Sequence, residues 1–518
     1  MPFDKELAEL EQRKNRARQM GGPEKIARKH AQGRLTAREW LDRLLDPGTF
    51  REIGILNHSD MPGMEEKTPA DSKIGGFGKI DGRHVAICAN DFTVLAASTS
   101  RVAMRKEGDV RLASERRGIP FIYLGEAGGA RIPDIMGAKG LVSYGFGFDM
   151  FLHGTSRIRQ SPMIMAVMGQ CYGAPTWMAC LADFVVQVKG SSLSVSGPRV
   201  LGQASAISEE VSEEELGGWR VHAEITGMAD RVAADEEDCF RIIKQYLSFM
   251  PSHCDRPAPR AEVPEGAGKD MERILDFLPA NRRRTYDMEQ ILRCIIDPGS
   301  YFPLKPHFGK MVITALARID GRVVGIIANQ PLHNAGAMDT DGIDKVISFF
   351  CLCDSFNIPL VFLHDIPGFL VGKEAERKRV AARVINYMNA LALVTVPKIS
   401  IIIRKSYGMA FWNMCGTGCG ADFLAAWPTA EISFIDPEVA ANVVFGGKLE
   451  PGDPQWEETV ERMRLDASPY GPAGVHALQD VIDPRDTREH IIRNLEICQD
   501  YRSGAISGHK LANWPTKF

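Results

Sequence analysis

The chain of 518 residues lacks any long apolar run. A membrane helix needs roughly eighteen or more consecutive apolar residues, and the most apolar stretches here are interrupted by glycine or charge. The N-terminal segment mixes acids and bases around no apolar centre, which is not the pattern of a secretory signal. Positive charge is not in excess either, because 62 lysines and arginines face 66 aspartates and glutamates. We therefore expect a cytoplasmic protein that binds neither membrane nor nucleic acid.

Cysteine spacing gives no sign of a disulfide framework or of a metal site. The eleven cysteines are an odd number and many lie inside apolar runs, as expected for reduced thiols in a protein core. Cys415 and Cys419 are separated by three residues, and no second pair lies close enough along the chain to complete a zinc site. We therefore predict no metal in this chain.

Side-chain catalytic motifs are also scarce. The sequence has no Gly-x-Ser-x-Gly elbow, no His-Glu-x-x-His pair, no Walker phosphate loop and no nicotinamide fingerprint after a strand. His364 and Asp365 are neighbours, but adjacent residues of a strand point to opposite faces, which argues against a catalytic dyad. The remaining candidates for catalysis are main-chain groups.

A glycine-rich loop at residues 125–131 (Gly-Glu-Ala-Gly-Gly-Ala-Arg) is the strongest such candidate. It follows the apolar run 120–124, which has the length and composition of a buried strand. Small residues there let the backbone approach a ligand and turn its N–H groups outward. Paired N–H donors can hold a carbonyl oxygen as it becomes an oxyanion. One such loop is typical of an ordinary strand-to-helix turn, but this chain repeats it.

The repeat shows as matches at a constant offset along the chain. Asn90 and Asn329 each close a predicted strand, and they lie 239 residues apart (329 − 90). The same offset places Gly129 on Gly368, inside a second glycine-bearing loop. Each half would therefore carry its own set of backbone donors. Two oxyanion holes suit a reaction in which two carbonyl compounds are both enolised, or one is enolised while the other loses a carboxyl group.

A second pair of loops extends the match, because residues 171–174 fall on residues 406–409 after a slip of four positions. An internal duplication accounts best for these coincidences. The alternation of strands, loops and helices in each half predicts α/β layers. We place one domain at residues 1–255, with a helical N-terminal arm, and the other at residues 256–518. The proline-rich stretch 251–279 has the composition of a linker.

Short family-specific segments occur along nearly the whole chain. They are residues 22–30, 33–39, 91–95, 128–131, 328–331, 365–369 and 426–431. Through these segments the chain resembles the carboxyltransferase β subunits of biotin-dependent acyl-CoA carboxylases, such as propionyl-CoA and methylcrotonyl-CoA carboxylase. Together they are highly specific for that superfamily.

The resemblance implies an α/β fold of two tandem crotonase-like domains (the ClpP/crotonase superfamily) related by internal duplication. It also implies a hexamer in which the N-terminal half of one subunit faces the C-terminal half of another. A biotin carboxylase and biotin carboxyl carrier subunit would be the partner, because this chain shows neither an ATP-grasp half nor an Ala-Met-Lys-Met biotinylation site. The cofactor biotin would lie on that partner, and an acyl-CoA would be the substrate.

The family mechanism, carried onto this chain, assigns one oxyanion hole to each half. N–H groups of Gly129 and Ala130 would hold the thioester oxygen, and those of Gly408 and Met409 would hold the ureido oxygen of biotin. Asp422 leads into the segment that lines the family's acyl pocket, so it is a candidate for chain-length selection; a solvated loop acid is the alternative. The other residues expected at the acyl-CoA are Gly128, Arg131, Gly173 and Ala174, and those expected at biotin are Pro367, Gly368, Phe369 and Tyr407.

Four departures from the family pattern touch these loops. Glu-Ala at residues 126–127 replaces Asp-Ser, Ala-Ala at 96–97 replaces Gly-Gly, Met409 replaces a glycine, and residues 382–386 replace Arg-His-Gly-Ala-Lys. Methionine takes positive φ less freely than glycine, so we expect an unusual substrate or an altered biotin reaction. Three alternatives therefore stay open: a biotin-linked acyl-CoA decarboxylase subunit, a non-catalytic scaffolding β subunit, and a biotin-independent enzyme that enolises CoA thioesters.

Overall fold

The structure, a computed structural model, describes residues 3–147, 158–203, 210–498 and 509–514. The chain divides into two compact units at the bond between Cys254 and Asp255. Each unit is an α/β layer structure built on one mixed sheet. No helix within the described ranges combines the length and the apolar character that a bilayer span requires.

The sheet of the first unit has the strand order β1-β2-β3-β4-β5-β6-β8, with β7 added beside β5. The first three strands are antiparallel and the later ones parallel. Its strands are β1 (Arg51–Ile53), β2 (Lys73–Ile80), β3 (Arg83–Asn90), β4 (Phe121–Ala127), β5 (Met163–Tyr172), β6 (Phe184–Val188), β7 (Ser192–Ser194) and β8 (Arg231–Ala233).

Helices of the first unit begin and end where the local sequence dictates. Thr36 and Glu39 form a capping box at the start of α3, and Gly118, with φ 61°, ends α4. The helices are α1 (Asp4–Arg18), α2 (Pro23–Ala31), α3 (Ala37–Leu44), α4 (Arg101–Arg117), α5 (Ile132–Ile135), α6 (Gly137–Gly147), α7 (Ala174–Leu181), α8 (Pro198–Gln203), α9 (Glu213–Gly217) and α10 (Glu236–Phe249).

The sheet of the second unit repeats this plan with the order β9-β10-β11 to β12-β13-β14-β16, and β15 lies beside β13. Its strands are β9 (Phe302–Leu304), β10 (Val312–Ile319), β11 (Arg322–Asn329), β12 (Leu360–Ile366), β13 (Lys398–Tyr407), β14 (Phe423–Ala426), β15 (Glu431–Ser433) and β16 (Asp480–Val481). Its helices are α11 (Met288–Ile295), α12 (Thr340–Ser355), α13 (Lys373–Arg377), α14 (Val380–Leu393), α15 (Met409–Asn413), α16 (Pro437–Phe445), α17 (Pro454–Asp466), α18 (Tyr470–Gly474) and α19 (Thr487–Ile497).

The two units share irregularities as well as regular strands. The pairing of β4 with β5 shifts register between Gly125 and Ala127, and the pairing of β12 with β13 shifts between His364 and Ile366. Both shifted positions differ by the offset of 239 residues that the sequence repeat shows. A β-bulge redirects the strand end that follows it. Each unit therefore turns its glycine loop at the same place in the fold, which confirms the predicted duplication.

Candidate active site

The glycine loop of the first unit is fixed to the backbone before α4. The Thr99 N–H donates to the Gly129 carbonyl (2.9 Å), and the Arg131 N–H donates to the Thr99 carbonyl (2.8 Å). Gly129 has φ 115°, a conformation that only glycine adopts without strain. In the part of the chain that the structure describes, the N–H groups of Gly129 and Ala130 have no backbone or side-chain acceptor. These two amides are free to bind a ligand oxygen.

The start of α7 lies beside that loop. Gly173, with φ 75°, turns the end of β5 into the helix, and its own N–H donates to the Ser194 carbonyl (3.3 Å). A Cβ atom on Gly173 would lie 4.0 Å from the Gly129 Cα, so the two glycines adjoin. Ala174 is the first residue of α7, and its N–H finds no acceptor among the described residues. Free amides of a loop and of a helix start thus adjoin, as an oxyanion hole requires.

The second unit carries the matching loop. The Met338 N–H donates to the Gly368 carbonyl (3.2 Å), and the Leu370 N–H donates to the Met338 carbonyl (2.9 Å). Gly368 has φ 139° and follows Pro367, which has no N–H to offer. The Phe369 N–H is without an acceptor over the described ranges. It is the counterpart of the free Ala130 N–H.

The turn from β13 into α15 differs from two expectations, that the Gly408 N–H binds biotin and that Met409 takes positive φ. The Gly408 N–H donates to the Ser433 carbonyl (2.9 Å). This amide was expected to bind biotin, but its hydrogen is already used within the protein. The positive φ, 57°, falls on Gly408, while Met409 takes helical geometry as the first residue of α15. The methionine is therefore unstrained there. Its N–H has no acceptor in the described part of the chain, and its side chain is 37% exposed.

Strain occurs instead where alanines replace the family's glycines. Ala96 and Ala97 have φ 53° and 49°, the left-handed region that costs an L-residue about 1–2 kcal/mol. The Ala96 carbonyl accepts the Gly128 N–H (2.9 Å). This strained turn therefore supports the start of the glycine loop.

Replacing both alanines by glycine should stabilise the first unit. The double variant Ala96→Gly/Ala97→Gly relieves two left-handed alanines but adds about 0.5–1 kcal/mol of unfolded-chain entropy per glycine. We expect a net gain of about 1 kcal/mol in the free energy of unfolding, measured by guanidinium denaturation. The matched control Ala27→Gly, exposed in the right-handed helix α2, should lose about 1 kcal/mol. Losses of equal size in both variants would contradict the strain.

A buried acid stands at the bulge of each unit. Glu126 is 7% exposed and forms an ion pair with the Lys29 ammonium from α2. Asp365 is 1% exposed, and its Oδ2 accepts from the Arg404 Nε at 3.0 Å. Burial raises the pKa of Asp365, and the Arg404 guanidinium opposes that rise. Each acid ties the irregular strand end to a cation of its own unit.

Arg131 is committed within the protein. Its side chain is 3% exposed, its Nη1 lies 2.5 Å from the Asp71 Oδ1, and its Nη2 donates to the Ser98 carbonyl (2.9 Å). The guanidinium therefore holds the glycine loop against the segment before α4. In this chain the geometry gives Arg131 a positioning role rather than a direct contact with a ligand.

Tyr407 also has a positioning role. Its phenol donates to the Glu431 Oε2 (2.6 Å), and the Arg282 Nη1 lies 3.1 Å from the same carboxylate. The ring is almost fully buried, and burial raises the pKa of Tyr407, so the phenol stays a donor. It fixes the strand end that leads into Gly408.

His364 is a structural residue, as the sequence indicated. Its Nε2 lies 2.6 Å from the Ser400 Oγ and its Nδ1 3.1 Å from the Ser406 Oγ. The Ser400 hydroxyl donates to the Met414 carbonyl (3.2 Å), which leaves its oxygen to accept from Nε2. Burial lowers the pKa of His364 to about 3, so the ring is neutral. His364 and Asp365 each bond to other residues and form no dyad.

This buried histidine predicts an acid-sensitive second unit. Its pKa of about 3 in the folded chain lies below the ordinary value of 6.5, so the unfolded chain binds the proton more readily. The stabilisation is complete above pH 6.5 and is lost toward pH 3, at about 1.4 kcal/mol per pH unit. Between pH 6 and pH 4 the free energy of unfolding should fall more steeply in the wild type than in His364→Asn, by about 1.4 kcal/mol per pH unit. The exposed control His84→Asn should keep the wild-type slope.

Asp422 is not brought to these loops. Its Oδ2 accepts the Lys398 N–H (2.8 Å), and its own N–H donates to the Lys398 carbonyl (2.9 Å). Lys398 begins β13, whereas Gly408 follows the end of that strand, about 30 Å away at the usual rise per residue. Asp183 makes the same contacts with Met163 in the first unit. The structure thus gives Asp422 a strand-pairing role, and its part in chain-length selection stays a prediction.

A cationic cavity of about 500 Å³ adjoins the bulge of the first unit, and the sequence reading had not identified it. Helix α2 contributes Lys25, Arg28 and Lys29, which recur at the three- and four-residue spacing of one helix face. Among the described residues no carboxylate pairs with Lys25 or Arg28. The three- and four-residue spacing of these cations is the feature of the sequence from which a cationic helix face could have been predicted. The other lining residues include Gln32, Arg34, Phe92, Thr93, Leu95, Ala96, Glu126, Gly169, Gln170, Gly190 and Glu213.

A solved structure repeats this architecture. Transcarboxylase 12S, crystallised as a hexamer with methylmalonyl-CoA and methylmalonic acid bound, matches with a TM-score of 0.89 at 33% sequence identity, over 96% of each chain. Two α/β units with mixed sheets, each with free amides at a strand-to-helix turn, thus define a duplicated crotonase-like enzyme fold.

The chain belongs to the carboxyl transferase family, whose domain it matches over residues 28–506. A propionyl-CoA carboxylase carboxyltransferase subunit of Haloferax mediterranei is 35% identical over 512 residues, 97% of this chain and 98% of that protein. A methylmalonyl-CoA decarboxylase subunit alpha of Veillonella parvula is 36% identical over 486 residues, 93% of each. The family resemblance read from the sequence is confirmed.

Proposed function

We propose that this chain is the carboxyltransferase subunit of a biotin-dependent acyl-CoA carboxylase, which moves a carboxyl group from carboxybiotin to the α-carbon of an acyl-CoA. One observation carries the proposal. Among the described residues, no acceptor pairs with the backbone N–H groups of Gly129, Ala130 and Ala174 in the first unit, or with those of Phe369 and Met409 at the matching turns of the second. Such preorganised donors stabilise developing oxyanions.

The first unit would take the acyl-CoA. Amides of Gly129, Ala130 and Ala174 would receive the thioester oxygen as the α C–H bond breaks and its electron pair moves toward that oxygen. Gly128, Gly173 and Arg131 support this hole by shaping and fixing its loops. The cationic cavity beside it suits the phosphates of CoA, because Lys25 and Arg28 have no carboxylate partner in the described chain.

The second unit would take biotin, and its donors fit a ureido group. The free Phe369 and Met409 N–H groups suit the single carbonyl of a cyclic urea, and Pro367, Gly368 and Tyr407 shape the surrounding turns. When bound, carboxybiotin supplies CO2 and a basic site for the α-proton. No side-chain base is then needed, which agrees with the neutral, fully bonded His364.

Oligomer formation is part of the same proposal. Large apolar side chains are exposed near both sets of loops, including Met136 (73%) and Trp177 (47%) in the first unit and Trp412 (40%) and Phe434 (82%) in the second. Exposed apolar patches of this kind mark interaction surfaces. We propose a homo-hexamer in which the halves of neighbouring subunits face each other, together with a biotin carboxylase and carrier subunit. Eleven free thiols suit a reducing cytoplasm.

The decisive experiment supplies the chain with its biotin-bearing subunit, ATP, labelled bicarbonate and a panel of acyl-CoAs, with propionyl-CoA assayed first. ATP-dependent and biotin-dependent entry of label into one acyl-CoA supports the proposal. Activity without biotin would favour an independent enolising enzyme. An intact assembly without turnover on any acyl-CoA would favour a scaffold.

Decarboxylation is the second candidate, because a relative of equal similarity is a methylmalonyl-CoA decarboxylase subunit. The same two oxyanion holes serve carboxyl transfer from an acyl-CoA to biotin. Loss of CO2 from methylmalonyl-CoA with biotin present and ATP absent would identify this direction.

A further inference from the structure

One carboxylate of the first unit binds both backbone segments that meet at the glycine loop. Thr99 and Ala130 form an isolated bridge between the segment before α4 and that loop. The residues that follow them, Ser100 and Arg131, both bind Asp71. The Ser100 hydroxyl donates to Oδ2, and the Arg131 Nη1 lies 2.5 Å from Oδ1. All three side chains are buried, so Asp71 holds the two segments together beside the bridge.

The same carboxylate also fixes the first turn of α4. The Ala103 N–H donates to the Asp71 Oδ2 (3.1 Å) and is shared with the Ser100 hydroxyl oxygen (3.1 Å). The first N–H groups of a helix have no acceptor within the helix, and Asp71 supplies one of them. Hydrogen bonds to a charged acceptor are stronger than neutral ones. One buried group therefore sets the position of the helix start and of the Arg131 guanidinium.

Asp71 lies in a strained turn. Ala70, Asp71 and Ser72 have φ 52°, 44° and 59°, three successive left-handed residues directly before β2. Backbone of this kind persists only where the surrounding structure determines it, and it is frequent at functional sites. At the offset of 239 residues the second unit has Gly309 (φ 51°) in place of Ala70, and Lys310, in place of Asp71, does not take positive φ. The left-handed acid is therefore a feature of the first unit.

The partners of this acid are also particular to the first unit. At the same offset Leu370 stands in place of Arg131, and a leucine cannot bind a carboxylate. Lys310, in place of Asp71, is exposed. Asp339 caps α12 by itself, because its Oδ1 accepts an N–H of the first turn of that helix (2.9 Å). The second unit thus fixes its helix start without tying it to its glycine loop.

We propose that Asp71 is a positioning residue for the oxyanion hole of the first unit, an inference that rests on the function proposed above. Through Ser100 and Arg131 its carboxylate sets the distance between the glycine loop and the segment before α4. It thereby sets the direction in which the Gly129 and Ala130 N–H groups point. Oxyanion donors act over a narrow range of distance, and a misplacement of about 1 Å costs about a hundredfold in rate.

Asp71→Asn tests this in the assembled, full-length protein. Asparagine takes positive φ as readily as aspartate, and the Asp134 Oδ2, 3.6 Å from the Arg131 Nη1, still opposes the guanidinium charge, so the variant should fold. We expect kcat for carboxyl transfer to fall about 10–100-fold, with KM for the acyl-CoA unchanged, because the donors act in the transition state. Asp230→Asn is the matched control: it removes another buried carboxylate of the same unit and should keep the wild-type kcat.

Arg131→Met shows whether Asp71 acts through Arg131. The double variant Asp71→Asn/Arg131→Met should lose no more kcat than Arg131→Met alone, because the two residues work as one unit. A loss equal to the product of the two single losses would overturn the proposal. An unchanged kcat in Asp71→Asn, a raised KM at unchanged kcat, or an equal loss in Asp230→Asn would also overturn it.

Amide hydrogen exchange tests the same inference without turnover. The Thr99 and Arg131 N–H groups are hydrogen-bonded across the bridge and should exchange about tenfold or more faster in Asp71→Asn than in the wild type. Exchange in Asp230→Asn should match the wild type, and unchanged exchange in Asp71→Asn would overturn the proposal. Faster exchange in Asp71→Asn, together with a wild-type protein that transfers no carboxyl group, would support the positioning and refute only the proposed function.

Ser100→Ala provides a second variant should Asp71→Asn fail to assemble. It removes the hydroxyl contact and leaves the ion pair between Asp71 and Arg131 in place. We expect changes in kcat and in exchange in the same directions, again with KM unchanged. Wild-type kcat and wild-type exchange in Ser100→Ala would overturn the proposal.

Discussion

Gly129→Val should reduce turnover about 10²–10³-fold or more while the protein stays folded. Valine disfavours the φ of 115° that turns the Gly129 and Ala130 amides outward, and its side chain fills the space in front of them. Apart from the chain neighbours, no described heavy atom lies within 4 Å of a Cβ at this position, so the described residues leave room for the substitution. The measurement is kcat for carboxyl transfer, with circular dichroism and sedimentation to check folding and assembly.

The control for backbone strain is Gly82→Val. Gly82 also has positive φ, 77°, and open space around its Cβ position, but it lies in the hairpin between β2 and β3. Both variants should lose a similar amount of stability, about 1–3 kcal/mol, and only Gly129→Val should lose turnover. Wild-type rates in Gly129→Val would refute the assignment of the first oxyanion hole.

Met409→Pro should have a comparable effect through the second hole. Proline at the first position of a helix is well tolerated, because that N–H has no helical acceptor in any case. The substitution therefore removes the Met409 N–H and leaves α15 intact. We expect kcat to fall about 10²–10³-fold with little change in the melting temperature.

Met409→Ala separates the amide from the side chain. It keeps the N–H and removes the half-exposed thioether, so turnover should stay within about threefold of the wild type. Loss of activity in the alanine variant, with activity kept in the proline variant, would place the function in the side chain and contradict a backbone donor. Saturation with acyl-CoA should be unchanged in both variants, because the donors proposed for the thioester oxygen are the amides of Gly129, Ala130 and Ala174 and not that of Met409.

Much of the fold was predictable because duplicated sequences repeat local constraints. The N–H that follows Gly129 and the N–H that follows Gly368 both lack an acceptor in the part of the chain that the structure describes, and Thr99 and Met338 bridge to Ala130 and Phe369 in the same way. Short-range rules suffice for such features, since glycine and proline fix where a strand can turn.

The less predictable features depend on which atoms are already bonded. The family resemblance marked the Gly408 N–H as a donor to biotin, but folding places the Ser433 carbonyl oxygen 2.9 Å from the Gly408 nitrogen. The family resemblance places Arg131 at the acyl-CoA, yet its guanidinium pairs with the carboxylate of Asp71, sixty residues earlier in the chain. Partners so distant along the chain leave no local signal. Asp422 likewise precedes the segment that the resemblance assigns to an acyl pocket, whereas in space it lies beside Lys398, at the opposite end of β13 from Gly408.

The sequence by itself determined the family, the duplication and the two glycine turns, because each rests on residue types at fixed spacing. Only the tertiary structure decided which amides and which cations beside α2 find no partner among the described residues, and where positive φ falls. The physical reason is that a donor or a charge that is already paired within the protein is no longer free to pair with a ligand. Whether a donor is left for a ligand depends on the acceptors that folding places beside it.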